Sequence, residues 1–352
     1  MSTKRTIETN LLKKLETFRV MALGEAVNTP ILLIGPPGVA KTAAVIDYAK
    51  AAGNGQLDDE DVFMLETDEG TRSNAIKGNI DLEELTLNQK YKVYSPIVKA
   101  QFVIINEIDK ASASLRNSLL GVMNEKILFN GTEKIPCEWK AFVATCNKIP
   151  EDEIGSPFWD RFLVTFHVNR LRQADILDYY AKGGKTHTQN HNINIPEQAD
   201  IDAINLDPVK LKKVIDLIYQ NLSDRSLSFL PTIIKNVMIV WNMGEDRAII
   251  KTVELLVDKA AAKTISKSLV SKELRAIYDA IDGIGQCISM DAYSQQFDKV
   301  EKLCEQQFKA GKLTQQDIDD IKLRVDEQED KLEFLKKEED VLTEMAEDAA
   351  SF

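Results

Sequence analysis

Lys41 and Thr42 close an octapeptide, Gly35-Pro36-Pro37-Gly38-Val39-Ala40-Lys41-Thr42, that follows the apolar run Ile31-Leu32-Leu33-Ile34. The run is short, branched and uncharged, the pattern of a buried parallel strand. Gly35 and Gly38 let the backbone turn tightly and bring amide N–H groups close to anionic oxygens. The Lys41 ammonium can reach the β- and γ-phosphates of a nucleotide, and the Thr42 hydroxyl can ligate Mg²⁺. Ala43 continues into a stretch of helical composition, so a helix N-terminus also faces the anion. Residues 35–43 therefore read as a phosphate loop for ATP or ADP with Mg²⁺. The general pattern has Gly where this chain has Ala40, the smallest replacement. The ordinary alternative is a Gly/Pro-rich turn that happens to precede Lys-Thr; strand, loop and helix in that order speak against it.

Four further signals have the chemistry such a loop needs. Phe102-Val-Ile-Ile105 ends in Asn106-Glu107. A strand ending in two polar acceptors ordinarily supplies an Asp for the Mg²⁺ shell and a Glu to activate the attacking water. Glu107 fits the second role. Asn106 takes the first without bringing a charge. Asp109, two residues further on, is expected to point elsewhere and is a doubtful substitute. Ala144-Thr145-Cys146-Asn147 is another strand end, and Asn147 there can orient water or touch the γ-phosphate. Trp159-Asp160-Arg161-Phe162 places an Arg just before a strand, suited to a finger given to a neighbouring subunit's γ-phosphate; the plain alternative is a surface Arg paired with Asp160. Ser223-Asp224-Arg225 opens a helix, and Arg225 can reach phosphates or be incidental to a helix cap.

These residues need a scaffold that brings strand ends together. Ile31–Ile34, Asp61–Glu66, Phe102–Ile105, Ala141–Thr145 and Phe162–Val168 are strand-like runs separated by helical stretches. The alternation predicts an α/β parallel sheet with helices on both faces, its functional residues at the carboxyl ends of the strands. Past residue 170 the pattern changes. Residues 172–182 and 209–222 read as helices joined by a polar loop at 183–207. Residues 226–241 read as another helix with Pro231 near its start, and 247–262 as a further one. The division expected is 1–170 as the nucleotide-binding core, 171–265 as a small all-α lid, and 266–352 as an acidic helical extension. In the extension Thr314-Gln-Gln-Asp317 reads as an N-cap with an acid three residues on. Ile318, Ile321, Val325, Gln328, Leu332, Leu335, Leu342 and Met345 recur at spacings of three, four or seven, interrupted by Glu339, as in a coiled coil or helical hairpin.

Composition narrows the classes. The 352-residue chain carries a net charge of −12. Residues 315–352 hold 14 Asp+Glu and 5 Lys+Arg, so −9, leaving only −3 for the rest. No broad basic surface for nucleic acid follows from these totals. No apolar run approaches the ~20 residues that span a bilayer, and the N-terminus lacks an apolar signal core. Cys137, Cys146, Cys287 and Cys304 have no paired spacing and read as reduced thiols of a cytoplasmic protein rather than a zinc site. His187 and His191 fall in the polar stretch taken as loop, so no metal pair is expected there.

Taken together, Gly35–Thr42 with Ala before the loop Lys, Asn106-Glu107-Ile108-Asp109-Lys110-Ala111, the Leu119–Glu125 helix, the Phe129-Asn130-Gly131-Thr132 hairpin turn, Asn147, Asp160-Arg161-Phe162 and Arg225 resemble an AAA+ ATPase of the MoxR family, the branch that includes RavA-type proteins. Thr71–Leu85, with Gly78, resembles the insertion in helix 2 that such proteins direct at a central pore. The resemblance covers roughly residues 10–265; Asn106 departs from it. It implies an ATP-driven homo-oligomeric ring, the hexamer usual for such proteins, with active sites between subunits. In such a ring Lys41 and Thr42 hold nucleotide and Mg²⁺, Glu107 activates water, Asn147 is the first sensor, Arg161 acts in trans and Arg225 is the second sensor. It also implies chaperone-like work on a protein client, commonly paired with a von Willebrand factor A (vWA) domain protein. The rival expectation is a nucleotide-dependent scaffold slowed by Asn106. A nucleic-acid motor is a third reading that the charge balance disfavours.

Overall fold

The structure is a computed structural model, and it describes residues 3–53, 58, 60–80, 93–94, 96–130, 132–153, 156–171, 173–181, 188–326, 328, 332, 335 and 336. Its strands are β1 (Thr3–Thr9), β2 (Ile31–Ile34), β3 (Val62–Glu66), β4 (Asn79–Ile80), β5 (Val93–Tyr94), β6 (Phe102–Asn106), β7 (Ile127–Asn130), β8 (Glu133–Pro136), β9 (Ala141–Cys146), β10 (Val164–His167) and β11 (Gln189–Ile195). The chain divides into two compact units, 1–261 and 262–352.

In the first unit five strands form one sheet in the order β10-β2-β9-β6-β3, every neighbouring pair parallel. The sequence explains the order of burial. β2, β6 and β9 are buried at every position, as near-continuous apolar runs require when helices cover both faces. β3 lies at an edge and leaves Met64 exposed. The Leu15–Val27 helix packs on β2, β9 and β10, and the Lys41–Ala52 helix on β6 and β9. The Ala113–Asn124 helix starts where the Ser112 hydroxyl accepts a hydrogen bond from the Leu115 amide at 3.3 Å, a standard N-cap. Its Leu115, Leu119 and Val122 join Ile105, Phe142 and Ala144 in one core cluster. β2 pairs Ile34 with Cys146, and β6 pairs Ile105 with Ala144. That register brings the carboxyl ends of β2, β6 and β9 to one edge of the sheet.

The sequence reading missed a second, two-stranded sheet. β1 runs antiparallel to β11, from Thr3 opposite Ile195 to Thr9 opposite Gln189. The stretch taken as the loop 183–207 thus contains a strand, followed by a short helix Gln198–Ala203. Both strands are mostly polar, so only Ile7 and Ile193 are deeply buried apolar residues. A buried network holds the sheet down. Arg5 donates to Glu25 Oε2 at 2.6 Å and to the Tyr48 hydroxyl at 2.7 Å, and that hydroxyl donates to Glu25 Oε2 at 2.6 Å. Burial pushes the Tyr48 phenol well above its ordinary range. His191, expected in a loop, lies in β11 with its ring 5.7 Å from that of Phe18; His187 lies outside the described residues.

Past the sheet come the helices Gln173–Ala181, Pro208–Ile218, Asp224–Val240 and Glu245–Leu256. Leu230, Ile233, Ile234 and Val237 of the third are fully buried, each stabilising the fold by roughly 1.5–3 kcal/mol. Pro231 sits inside that helix. β4 and β5 pair as a short hairpin stem; residues 81–85 of the expected helix 2 insertion lie outside the described residues. β7 and β8 form the expected hairpin, with Asn130 opposite Glu133, while Gly131 of its turn lies outside the described residues.

The second unit is helical, with Lys272–Ile284 and Met290–Lys309 packed against each other and Gln315–Asp326 following. Thr314 and Asp317 form the anticipated cap, the hydroxyl donating to Asp317 Oδ2 at 2.6 Å. Ile321 and Leu335 of the expected seam are buried with Ile277, Ile281 and Val300, and Val325 and Leu332 pack beside them. Leu342 and Met345 lie outside the described residues.

Candidate functional site

Ile34 leads from β2 into the phosphate loop. Gly35 is required by close approach rather than by its dihedral angles: an added Cβ would lie 2.3 Å from the Val168 carbonyl oxygen, beside β10. Gly38 carries the turn itself, at φ +82°. Ala40 adopts the left-handed region, φ 58° and ψ 40°, which costs an L-residue roughly 1–2 kcal/mol. Pro36, Pro37 and Val39 complete the loop, and Lys41, Thr42 and Ala43 form the first turn of the helix behind it. One supporting residue escaped the sequence reading. Lys14 is buried and donates to the Val39 carbonyl at 2.7 Å. Two adjacent lysines between Leu12 and Leu15 carry no signal of which one is buried.

Lys41 Nζ donates to the carbonyls of Gly35 at 2.5 Å and Pro36 at 3.1 Å and to Asn147 Oδ1 at 3.3 Å. Burial lowers the Lys41 pKa, against the pull of the Cys146 thiol, Asp109 and Glu107. The Thr42 hydroxyl donates to Asn106 Oδ1 at 2.9 Å. Two of the strand-end residues expected from sequence therefore meet the loop, Asn106 and Asn147; Glu107 reaches Lys41 only through its charge. The order of the strands did this; the side chains only had to be polar at the last position.

Two threonines that the sequence reading passed over set the β6 end. Thr67 donates from its hydroxyl to the carbonyls of Asn106 at 3.0 Å and Glu107 at 2.6 Å. The Thr145 hydroxyl accepts from the Glu107 amide and donates to Asn106 Oδ1, both at 3.3 Å. Glu107 itself is left-handed, φ 55° and ψ 41°, a conformation that for non-glycine residues concentrates at functional sites. Its carboxylate is ion-paired with Lys110 at 2.5 Å.

Asp109 corrects the expectation that it points away. Its Oδ2 accepts from the Asn147 amide at 3.5 Å. Its charge acts on both Lys41 and Cys146. The Cys146 thiol is pushed up to about 12, first by burial and then by that carboxylate. The left-handed turn at Glu107 is the cause: it reverses the chain into the short 3-10 turn Ile108–Lys110, and Ile108 is fully buried beneath it.

The two arginines form a second cluster. Arg161 ends the 3-10 turn Trp159–Arg161, which aromatic packing anchors. Phe158 lies edge-on to Trp159 at 5.3 Å and to Phe162 at 5.7 Å. The Trp159 indole donates to Glu153 at 2.8 Å, and Arg116 pairs with that same carboxylate. Arg161 is 3.7 Å from Asp160, so the plain surface pairing exists, yet its Nε is buried without a hydrogen-bond partner. Arg225 donates to Asn124 at 3.1 Å. Burial lowers the Arg225 pKa, and the charge of Arg161 lowers it further. Among the described residues no hydrogen bond or ion pair joins this cluster to Lys41, Thr42 or Asn106.

The family model of the MoxR domain in MoxR–vWA–β-propeller ternary systems matches residues 1–207. The chain belongs to the MoxR family of AAA+ ATPases. A candidate ATPase from Cytophaga hutchinsonii shares the fold at a TM-score of 0.55 and 17% identity, over 74% of this chain and 90% of that one. This MoxR-family chain is 23% identical over 318 residues to the Methanocaldococcus jannaschii protein MJ0079, covering 81% of this chain and 82% of the relative. It is 32% identical over 143 residues to a structural protein of Acidianus two-tailed virus, covering 40% of this chain and 23% of the viral protein. The α/β core with its five-stranded parallel sheet and the helical C-terminal region are thus those of an AAA+ protein. No helix among the described residues is long and apolar enough to cross a membrane.

Proposed function

We propose that this MoxR-family chain binds and hydrolyses ATP with Mg²⁺ in a ring of its own copies, six by family analogy, and uses the cycle to remodel or assemble a protein client. The observation that carries the reading is the division of charge. Lys41, Thr42, Asn106 and Asn147 meet at the phosphate loop, while Arg225 bonds to Asn124 and Arg161 pairs with Asp160, neither bonded to that loop. A nucleotide held by one subunit and met by the arginines of the next would use both.

The residues fit Mg²⁺. The Thr42 hydroxyl and Asn106 amide oxygen are 2.9 Å apart, and Asp109 keeps a buried, unpartnered carboxylate oxygen. When bound, the ion neutralises charge on the phosphate oxygens. Residues 35–43 hold the phosphates by backbone amides and by Lys41. Lys41 exchanges carbonyl and amide partners for phosphate oxygens. Glu107, freed from Lys110, takes the proton of the attacking water, and Asn147 orients that water. Arg161 and Arg225 together meet the charge that develops on the γ-phosphoryl group of the neighbouring subunit's nucleotide.

The family description supports a partner with a vWA domain, in a system that also contains a β-propeller. Four free thiols support a cytoplasmic setting. A second reading, an ATP-gated scaffold with slow turnover, is favoured by the neutral Asn106 and by the Glu107–Lys110 pair. Single-turnover hydrolysis with light scattering in the presence and absence of ATP tests both. Hydrolysis by a ring supports the first; ATP-dependent assembly without hydrolysis supports the second; neither response to ATP overturns both.

A further inference from the structure

We propose that Asp109 supplies, toward the Mg²⁺ of this site, the negative charge that Asn106 lacks. The proposal rests on the Mg²⁺–ATP reading above and assigns a residue within it. Asn106 Oδ1 accepts from two hydroxyls, Thr42 at 2.9 Å and Thr145 at 3.3 Å. An amide oxygen has two lone pairs, so its acceptor capacity is committed to holding Thr42 in place. Asn106 is a scaffold here, and it is neutral. Two carboxylates exert their charge on Lys41, those of Asp109 and Glu107. Glu107 is engaged by Lys110 at 2.5 Å.

Asp109 is differently placed. Oδ2 receives one long contact, 3.5 Å from the Asn147 amide. Oδ1 is buried and has no hydrogen-bond partner. A buried carboxylate oxygen without a donor destabilises the fold. A fold keeps such a group when a cation, or water bound to one, completes it. The neighbourhood specifies which cation. Asp109 faces the strand end that carries Asn147, beside the loop whose Thr42 is tied to Asn106. The charge that a strand-terminal Asp would bring is therefore delivered from the turn, two residues after Glu107, by a residue whose direction the left-handed Glu107 fixes.

The test measures binding of a fluorescent ATP analogue in EDTA and across a Mg²⁺ titration, for the full chain and for Asp109→Asn, Asn106→Asp and the double variant. Asp109→Asn should raise the Mg²⁺ concentration at half-saturation about tenfold or more, the scale of outer-shell changes at metal sites. Binding in EDTA should be unchanged or tighter, since a negative charge near the phosphates is gone. Asn106→Asp in the Asp109→Asn background should recover the Mg²⁺ requirement. Asn106→Asp alone should change it less than twofold, because the charge is already present. Equal weakening in EDTA and in Mg²⁺ would make Asp109 a structural residue and overturn the proposal. So would a tenfold gain from Asn106→Asp alone, a result that does not depend on Asp109→Asn folding. If the unaltered chain fails to bind the analogue under both conditions, the Mg²⁺–ATP reading falls and takes this proposal with it. Binding that is intact but indifferent to Asp109 overturns the proposal and leaves that reading standing.

Discussion

At the phosphate loop, Lys41 has three oxygen partners in its own chain, at 2.5, 3.1 and 3.3 Å. At the Trp159–Arg161 turn, Arg161 has a carboxylate at 3.7 Å and a buried Nε without a partner, with a second arginine adding like charge. The first cluster satisfies its cation internally and stores strain in its backbone, at Ala40 and Glu107. The second has no left-handed residue between Phe158 and Phe162; aromatic packing holds it, and its charge is in excess. Like charge between two arginines costs free energy unless an anion is shared between them. On the function proposed above, the contrast is that of a site that receives phosphate and a surface that is brought to one.

The largest expected effect falls on the first cluster. Lys41→Ala removes the charged phosphate contact of the loop and should abolish measurable ATP binding by calorimetry. Retained micromolar affinity would mean that the loop does not hold phosphate. Next come the two halves separated. Glu107→Gln should keep ATP binding and slow hydrolysis by roughly 10²–10⁴. Arg161→Ala should keep binding and slow turnover by roughly 10³ or more. Mixed rings of the two variants contain interfaces with both residues intact, so turnover should partly return. No recovery despite demonstrated mixing would show that Arg161 does not serve a neighbour, and the comparison would lose its second half.

What the sequence disclosed follows the same line. The phosphate loop is legible because its chemistry is local: eight consecutive residues and a preceding apolar run contain it. Asn106, Glu107 and Asn147 are legible because parallel strands align their ends. Asp109 was misjudged because its direction depends on the left-handed Glu107, which no residue type announces. β1 and β11 were missed because Thr3–Thr9 and Gln189–Ile195 are largely polar and pair across more than 180 residues. Arg225 was recognisable as an arginine at a helix start. Its contact with Asn124, at the end of another helix, comes from tertiary packing, which spacing does not encode.

Gly35→Ala gives a smaller effect that tests whether the loop is held by β10. The new methyl would meet the Val168 carbonyl oxygen at 2.3 Å, a backbone atom that cannot swing aside. Overpacking of this kind costs about 1–3 kcal/mol, and the loop must move. A lower melting temperature with weaker ATP binding is expected; unchanged values would mean that the loop and β10 separate freely. Acid stability should shift less. Burial, and then Arg19, lower the His191 pKa below its ordinary 6.5. Between those values the unfolded chain binds the proton first, so stability is full at neutral pH and falls as the pH drops through the folded pKa. His191→Gln should flatten that acid limb in denaturant titrations at pH 7.5 and 5.5, and an unaltered limb would assign it to other groups.

The smallest effect is expected at Ala40, and it bears on why the phosphate side is strained. Ala40 holds φ 58°, which glycine adopts at no steric cost. Ala40→Gly should relieve roughly 1–2 kcal/mol of strain. It should also make the unfolded chain more flexible, which offsets about 0.4–1 kcal/mol. The net is a gain of about 1 kcal/mol or less, visible as a small rise in melting temperature. The consequence for binding has the opposite sign. Alanine restricts the loop to one conformation before phosphate arrives, and glycine restores alternatives that binding must then remove. A more stable protein with weaker ATP affinity would show that the strain preorganises the loop. A more stable protein with equal or tighter affinity would show that Ala40 is simply a tolerated methyl, and that the strain belongs to the chain's history rather than to its chemistry.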